Sequence, residues 1–152
     1  MRFFLATLLA VLHSAPAFAL SCARPDPLDS YNHALRSNDT YVVMLGDFMY
    51  PEPPQPDGYL PMGYELQAQF TGQVLGLRKF VDGFQVQLTV VVSCISTWCG
   101  QPPATKGNVL AFVRRNADRF VLSAGPCAGD WFLDPSTDTI RAIEICHRNG
   151  GC

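Results

Sequence analysis

Between Tyr64 and Cys94 the chain alternates apolar and polar side chains in two long runs, and only an extended strand gathers such a pattern onto one face. In the first run Tyr64, Leu66, Ala68, Phe70 and Val74 fall on one side, with Gly72 between the last two. Glu65, Gln67, Gln69, Thr71 and Gln73 fall on the other. After a break at Arg78 to Gly83 the pattern restarts. Phe84, Val86, Leu88, Val90, Val92 and Cys94 point inward, and Gln85, Gln87, Thr89 and Ser93 outward. A helix would scatter these apolar residues around its axis, so the spacing predicts two long, half-buried β-strands.

Residues 1–19 read as a secretory signal. Arg2 supplies the positive start, Phe3 to Leu12 the apolar core, and Ala17-Phe18-Ala19 a small-x-small cleavage site. Cleavage after Ala19 makes Leu20 the first mature residue. Ala19-Leu20-Ser21-Cys22 also loosely matches a lipobox, which would place a lipid on Cys22; ordinary cleavage is the preferred reading. No later apolar stretch is long enough to span a bilayer as a helix. The expectation is an exported protein, periplasmic or secreted, with residues 20–152 forming one domain around a single core.

Removal of Arg2 leaves ten basic against thirteen acidic side chains, a formal charge of −3. With no basic run, neither nucleic acid nor an anionic membrane is an expected partner. All six cysteines (Cys22, Cys94, Cys99, Cys127, Cys146 and Cys152) lie in the mature part. An even count in an exported chain points to disulfides, for which six half-cystines allow 15 connectivities. A metal site is the weaker alternative, because only His33 and His147 remain after cleavage and no Cys-x2-Cys pair exists. Spacing favours Cys94 with Cys99 across one tight loop and Cys146 with Cys152 past the last helix, leaving Cys22 for Cys127. Other pairings remain open.

In chain order, Asp26 can cap a short helix with Pro27 at its first position, and Leu28, Tyr31 and Leu35 share a face. Asn38-Asp39-Thr40 fits a glycosylation sequon, though a polar turn is the preferred reading. Tyr41 to Tyr50 is apolar on both sides, as in a strand covered on both faces. Pro51 to Gly63, rich in proline, is a surface excursion: either a functional loop bearing Tyr59 or a stiff connector. Asn108 to Arg115 and Arg119 to Ala124 form a hairpin. Asp134 caps a final helix beginning at Pro135, and Trp131-Phe132 plug the core beneath it. Five strands and two helices predict a mainly β fold, a small five-stranded antiparallel barrel, with a two-sheet sandwich as the rival.

Several short motifs carry a resemblance: Ser21-Cys22 near the mature start, Cys99-Gly100, Val109-Leu110-Ala111-Phe112 followed by Phe120-Val121-Leu122, and Cys127. With their order along the chain, they make it similar to the netrin-like modules of tissue inhibitors of metalloproteinases and their bacterial relatives. The resemblance covers nearly the whole mature chain and implies an OB-fold barrel. It also implies an alternative pairing of Cys22 with Cys99. In those inhibitors the first residue is a cysteine whose free amine and carbonyl chelate the protease zinc. Here Leu20 precedes Cys22, so the Cys22 nitrogen is an amide, a poor metal ligand, and the second N-terminal cysteine is missing. What the resemblance transfers is a surface, Ser21, Cys22, Ala23, Arg24 and Pro25 beside the loop around Trp98.

No serine lies in a Gly-x-Ser-x-Gly elbow, and an even cysteine count leaves no spare thiol. The expectation is a non-catalytic exported binding module with a protein partner and no cofactor or metal, its candidate rim being Ser21 to Pro25, Tyr59 and Trp98. Protease inhibition is a subordinate form of that reading. Trp98 itself has two readings, an exposed anchor or, preferred, a ring packed over a disulfide or the barrel end. The outer face of Gln67, Gln69, Gln73, Gln85 and Gln87 is read as a solvated sheet face. The rival class is an exported hydrolase assembled only in three dimensions, with His33, His147, Asp47 and Glu65 as its groups.

Overall fold

The computed structural model describes residues 22–52 and 63–152. Helix α1 (Pro27–Arg36) precedes strands β1 (Thr40–Met49), β2 (Tyr64–Leu75) and β3 (Phe80–Val92). The two-residue strands β4 (Cys94–Ile95) and β5 (Trp98–Cys99) follow, then β6 (Val109–Asn116), β7 (Arg119–Ala124), β8 (Trp131–Leu133) and helix α2 (Thr137–Asn149). The two alternating runs are β2 and β3, paired from Tyr64↔Val92 to Leu75↔Phe80 with one irregularity between Gly72 and Val74. Leu66, Ala68, Phe70, Leu88, Val90 and Val92 are buried, and Gln67, Gln69, Gln85 and Gln87 are exposed.

Strands β1-β2-β3-β7-β6 lie side by side in that order, and β6 pairs back onto β1 to close an OB-like barrel. One expectation needs correction. The barrel is mixed, not antiparallel, because β3 and β7 run parallel from Thr89↔Val121 to Val92↔Ala124. The reason is parity: strands in a closed ring of five cannot all alternate in direction, so one neighbouring pair must match.

The barrel interior holds Met44, Phe48, Phe70, Leu88, Val90, Val109, Val113 and Leu122. A second core lies outside it, where Val43, Leu45, Leu110 and Phe112 meet Tyr31 and Ala34 of α1 and Ile143 and Cys146 of α2. Alternate residues of β1 feed the two cores, which accounts for its apolar character on both faces. Trp131 and Phe132, expected only as a plug, form strand β8 against β6 at Ala111↔Trp131 and Leu110↔Phe132. Phe132 reaches the core under the helices, and Trp131 packs on the barrel core.

At α1 the expected cap holds, since Asp26 Oδ1 accepts from the Leu28 amide at 2.8 Å. At α2 the cap is Ser136, which accepts from the Thr139 amide at 3.1 Å. Asp134 is instead drawn away by the Asn108 amide, 2.8 Å from its Oδ1. The disulfides are Cys22–Cys127, Cys94–Cys99 and Cys146–Cys152. The Cys22–Cys99 pairing implied by the resemblance does not occur.

Candidate functional site: the strapped end of the barrel

The residues before α1 form a strap. Cys22 is bonded to Cys127, and Asp26 is tied into the first turn of α1, so the intervening Ala23, Arg24 and Pro25 are held at both ends. Cys22, Ala23 and Arg24 are exposed and Pro25 is half-buried. Ser21 and Tyr59, also expected in the rim, lie outside the described residues.

Trp98 sits on a miniature hairpin. Cys94 and Cys99 are register partners bridged by a disulfide, Ile95 faces Trp98 across the ladder, and Ser96 takes a positive φ of 57° to make the turn. One backbone bond ties the base of this hairpin to the end of β7, and a second closes the base itself. The Ser93 amide donates to the Ala124 carbonyl at 3.1 Å, and the Gly100 amide to the Ser93 carbonyl at 2.9 Å. Gly100 lies so close to Ala124 that a Cβ there would strike its carbonyl oxygen. Three residues beyond Ala124 comes Cys127, the anchor of the strap. The chain segment Ala124 to Cys127 therefore brings the Trp98 hairpin and the Cys22 strap to one end of the barrel.

Trp98 is 61% exposed and Ile95 54%. Trp98 therefore stands largely in solvent, paired with Ile95 across the ladder. Trp131, by contrast, is half-buried against the barrel core, and its indole Nε1 donates to the Gln101 carbonyl at 3.2 Å.

Under the strap runs a groove of about 380 Å³ between Ala23–Asp26, the Asp29–His33 face of α1, Tyr41, Phe112 and Ala128–Asp130. Burial pushes the Asp130 carboxyl above its ordinary value, and the charges of His33 and Arg114 offset part of that rise. Burial also raises the Tyr41 phenol, and the nearby Asp130 carboxylate adds to it. Asp130 was not legible as a site residue. Its sequence setting, Gly129-Asp130-Trp131, carries no motif, and its neighbours come from α1, β1 and β6.

The four groups of the rival reading do not meet. His33 lines the groove beneath the strap. His147 lies at the end of α2, where its Nδ1 is 2.9 Å from the Tyr31 hydroxyl. Asp47 and Glu65 are exposed on β1 and β2, opposite Thr71 and Val91 respectively. Among the described residues every cysteine is in a disulfide, and no group of three or more His, Cys, Asp or Glu side chains could hold a metal ion. No described helix is long and apolar enough to cross a membrane. No family model, curated protein or solved structure matches this chain.

Proposed function

We propose that this chain is an exported, disulfide-stabilised binding module that performs no catalysis and engages a protein partner through the strapped end of the barrel. The observation that carries the reading is the Ile95–Trp98 pair. Two large apolar side chains stand side by side in water on a hairpin held by the Cys94–Cys99 bridge, by the Gly100–Ser93 bond across its base and by the Ser93–Ala124 bond to β7. A tryptophan fixed in this way loses little freedom on binding, and such preorganised aromatic anchors dominate protein interfaces. The signal-like residues 1–19 and the pairing of all six cysteines support export. Inhibition of a protease is the form suggested by the resemblance to netrin-like modules; with Leu20 first it would proceed without a zinc-chelating N-terminal amine.

A photo-reactive phenylalanine analogue placed at position 98, and separately at exposed Gln85, tests the reading in the producing cell. One discrete protein adduct at position 98, absent at position 85 and reduced by Ile95→Ser, is expected. Equal adducts at both positions, or none at 98, would contradict it.

One observation favours the exported hydrolase as a second reading: His33 and Asp130, a histidine and a carboxyl with a raised pKa, line one groove. That reading requires hydrolysis of some ester, amide or glycoside substrate that His33→Ala abolishes. A panel of such substrates turned over equally by parent and His33→Ala would dismiss it.

A further inference from the structure

Strand β1 changes partners along its length. Thr40 to Gly46 pair with β6, whereas the ladder with β2 begins only at Met44↔Val74. Past that point β2 continues to Leu75, which is paired with Phe80 of β3 and with nothing on β1. Beyond the Met44↔Val74 rung, Thr40–Val43 of β1 and Leu75 of β2 are not joined by a ladder, and a groove of about 510 Å³ opens there beside both helices.

Its walls are apolar. Val42, Phe84 and Phe120 belong to the barrel interior, and Val43 and Leu75 to the layer beneath the helices. Polar groups sit at the margins. His147 and Tyr31 occupy each other through the Nδ1–hydroxyl bond. Asp39 is ion-paired with Arg114 at 3.3 Å. Arg115 is different: its guanidinium carbon stands 5.8 Å from the centre of the Phe120 ring, and its Nε reaches only the Ala117 carbonyl at 3.4 Å. Among the described residues it has no carboxylate partner. The groove thus couples a greasy cleft to one uncompensated cation.

We propose that this groove binds an anionic amphiphile, a small molecule with an apolar chain and a single carboxylate, the chain lying between β1 and β2 and the carboxylate on Arg115. The volume falls within the range of small-molecule sites, and such sites pair apolar walls with a few orienting polar groups. A planar guanidinium matches a carboxylate in geometry as well as charge. A cationic amphiphile would be repelled by Arg115, and a neutral one would leave it unused. This site is separate from the Trp98 hairpin, so it stands or falls independently of the protein-binding reading.

Octanoate below its aggregation concentration is the probe, with octyl glucoside as the neutral amphiphile of equal chain length. Binding is followed by methyl NMR on the intact, disulfide-bonded protein. Saturable shifts of the Val42, Val43 and Val74 methyls are expected. Octanoate should bind about three- to fivefold tighter than octyl glucoside, as suits an exposed ion pair. Arg115→Gln should remove that preference, and Leu35→Ser, at the exposed lip of α1, should weaken both ligands. Shifts confined to other residues, the absence of saturation, or a preference that survives Arg115→Gln would overturn the proposal.

Discussion

Gly46 and Gly72 face each other across the β1–β2 ladder, and the ring of Phe70 closes over the gap their missing side chains leave. A Cβ on Gly72 would lie 2.7 Å from the Gly46 Cα and 3.0 Å from Phe70 Cζ, and would strike the Leu45 carbonyl oxygen. Phe70 is fully buried and meets Phe48 edge-on at 5.2 Å, so the barrel interior is built around this pair of absences. Gly72→Ala is therefore expected to cost about 1–3 kcal/mol, the range for forcing extra atoms into a packed core. Urea unfolding measures it, and an unchanged midpoint would show that the two strands have slack.

The disulfides should contribute unequally. In the chain-entropy model the Cys22–Cys127 bridge, with a separation of 105 residues, is worth about 4–5 kcal/mol. The bridges with separations of 5 and 6 are worth about 2 kcal/mol each. Replacing Cys22 and Cys127 together by serine should lower stability more than either of the other double replacements. A reversed order in urea unfolding would mean that the strap is not closing the chain.

Asp130 gives a pH signature. Its folded-state pKa is raised, chiefly by burial, above the ordinary value of 3.8. The native state then holds the proton more tightly than the unfolded chain. The contribution of this group is fully present below 3.8 and is lost as pH rises through the raised value. The stability of Asp130→Asn minus that of the parent should increase between about pH 3 and about pH 7. A difference that stays flat or declines over that interval would place the carboxyl in contact with water.

Much of the barrel was legible because its strands obey a period of two. Leu66, Ala68, Phe70, Leu88, Val90 and Val92 pointed inward on pattern alone, and β1 showed its two buried faces as the apolar run Tyr41 to Leu45. What escaped was set by distant chain segments. The parallel β3–β7 pair follows from ring closure and leaves no mark on either strand. Three-residue β8 is too short to show alternation and exists because β6 has a free edge at Val109 to Ala111. Asp134 has the local credentials of a helix cap, yet Asn108, 26 residues away in sequence, recruits its carboxylate and Ser136 takes over. For the candidate site, the Cys94–Cys99 spacing announced a tight loop, but no local pattern reveals that Trp98 and Ile95 are left in solvent on it.

The measurement closest to the centre of the proposal is a non-reduced peptide map, with N-terminal sequencing, of the protein recovered from outside the cytoplasm. Leu20 as the first residue, with the peptide containing Cys22 joined to the one containing Cys127, is the expected result. It would describe an exported chain whose strap is locked beside the Trp98 hairpin and has no free cysteine amine to offer a metal. A chain beginning at Cys22 with a free amine, a Cys22–Cys99 bond, or a retained residue 1 with reduced thiols would contradict it.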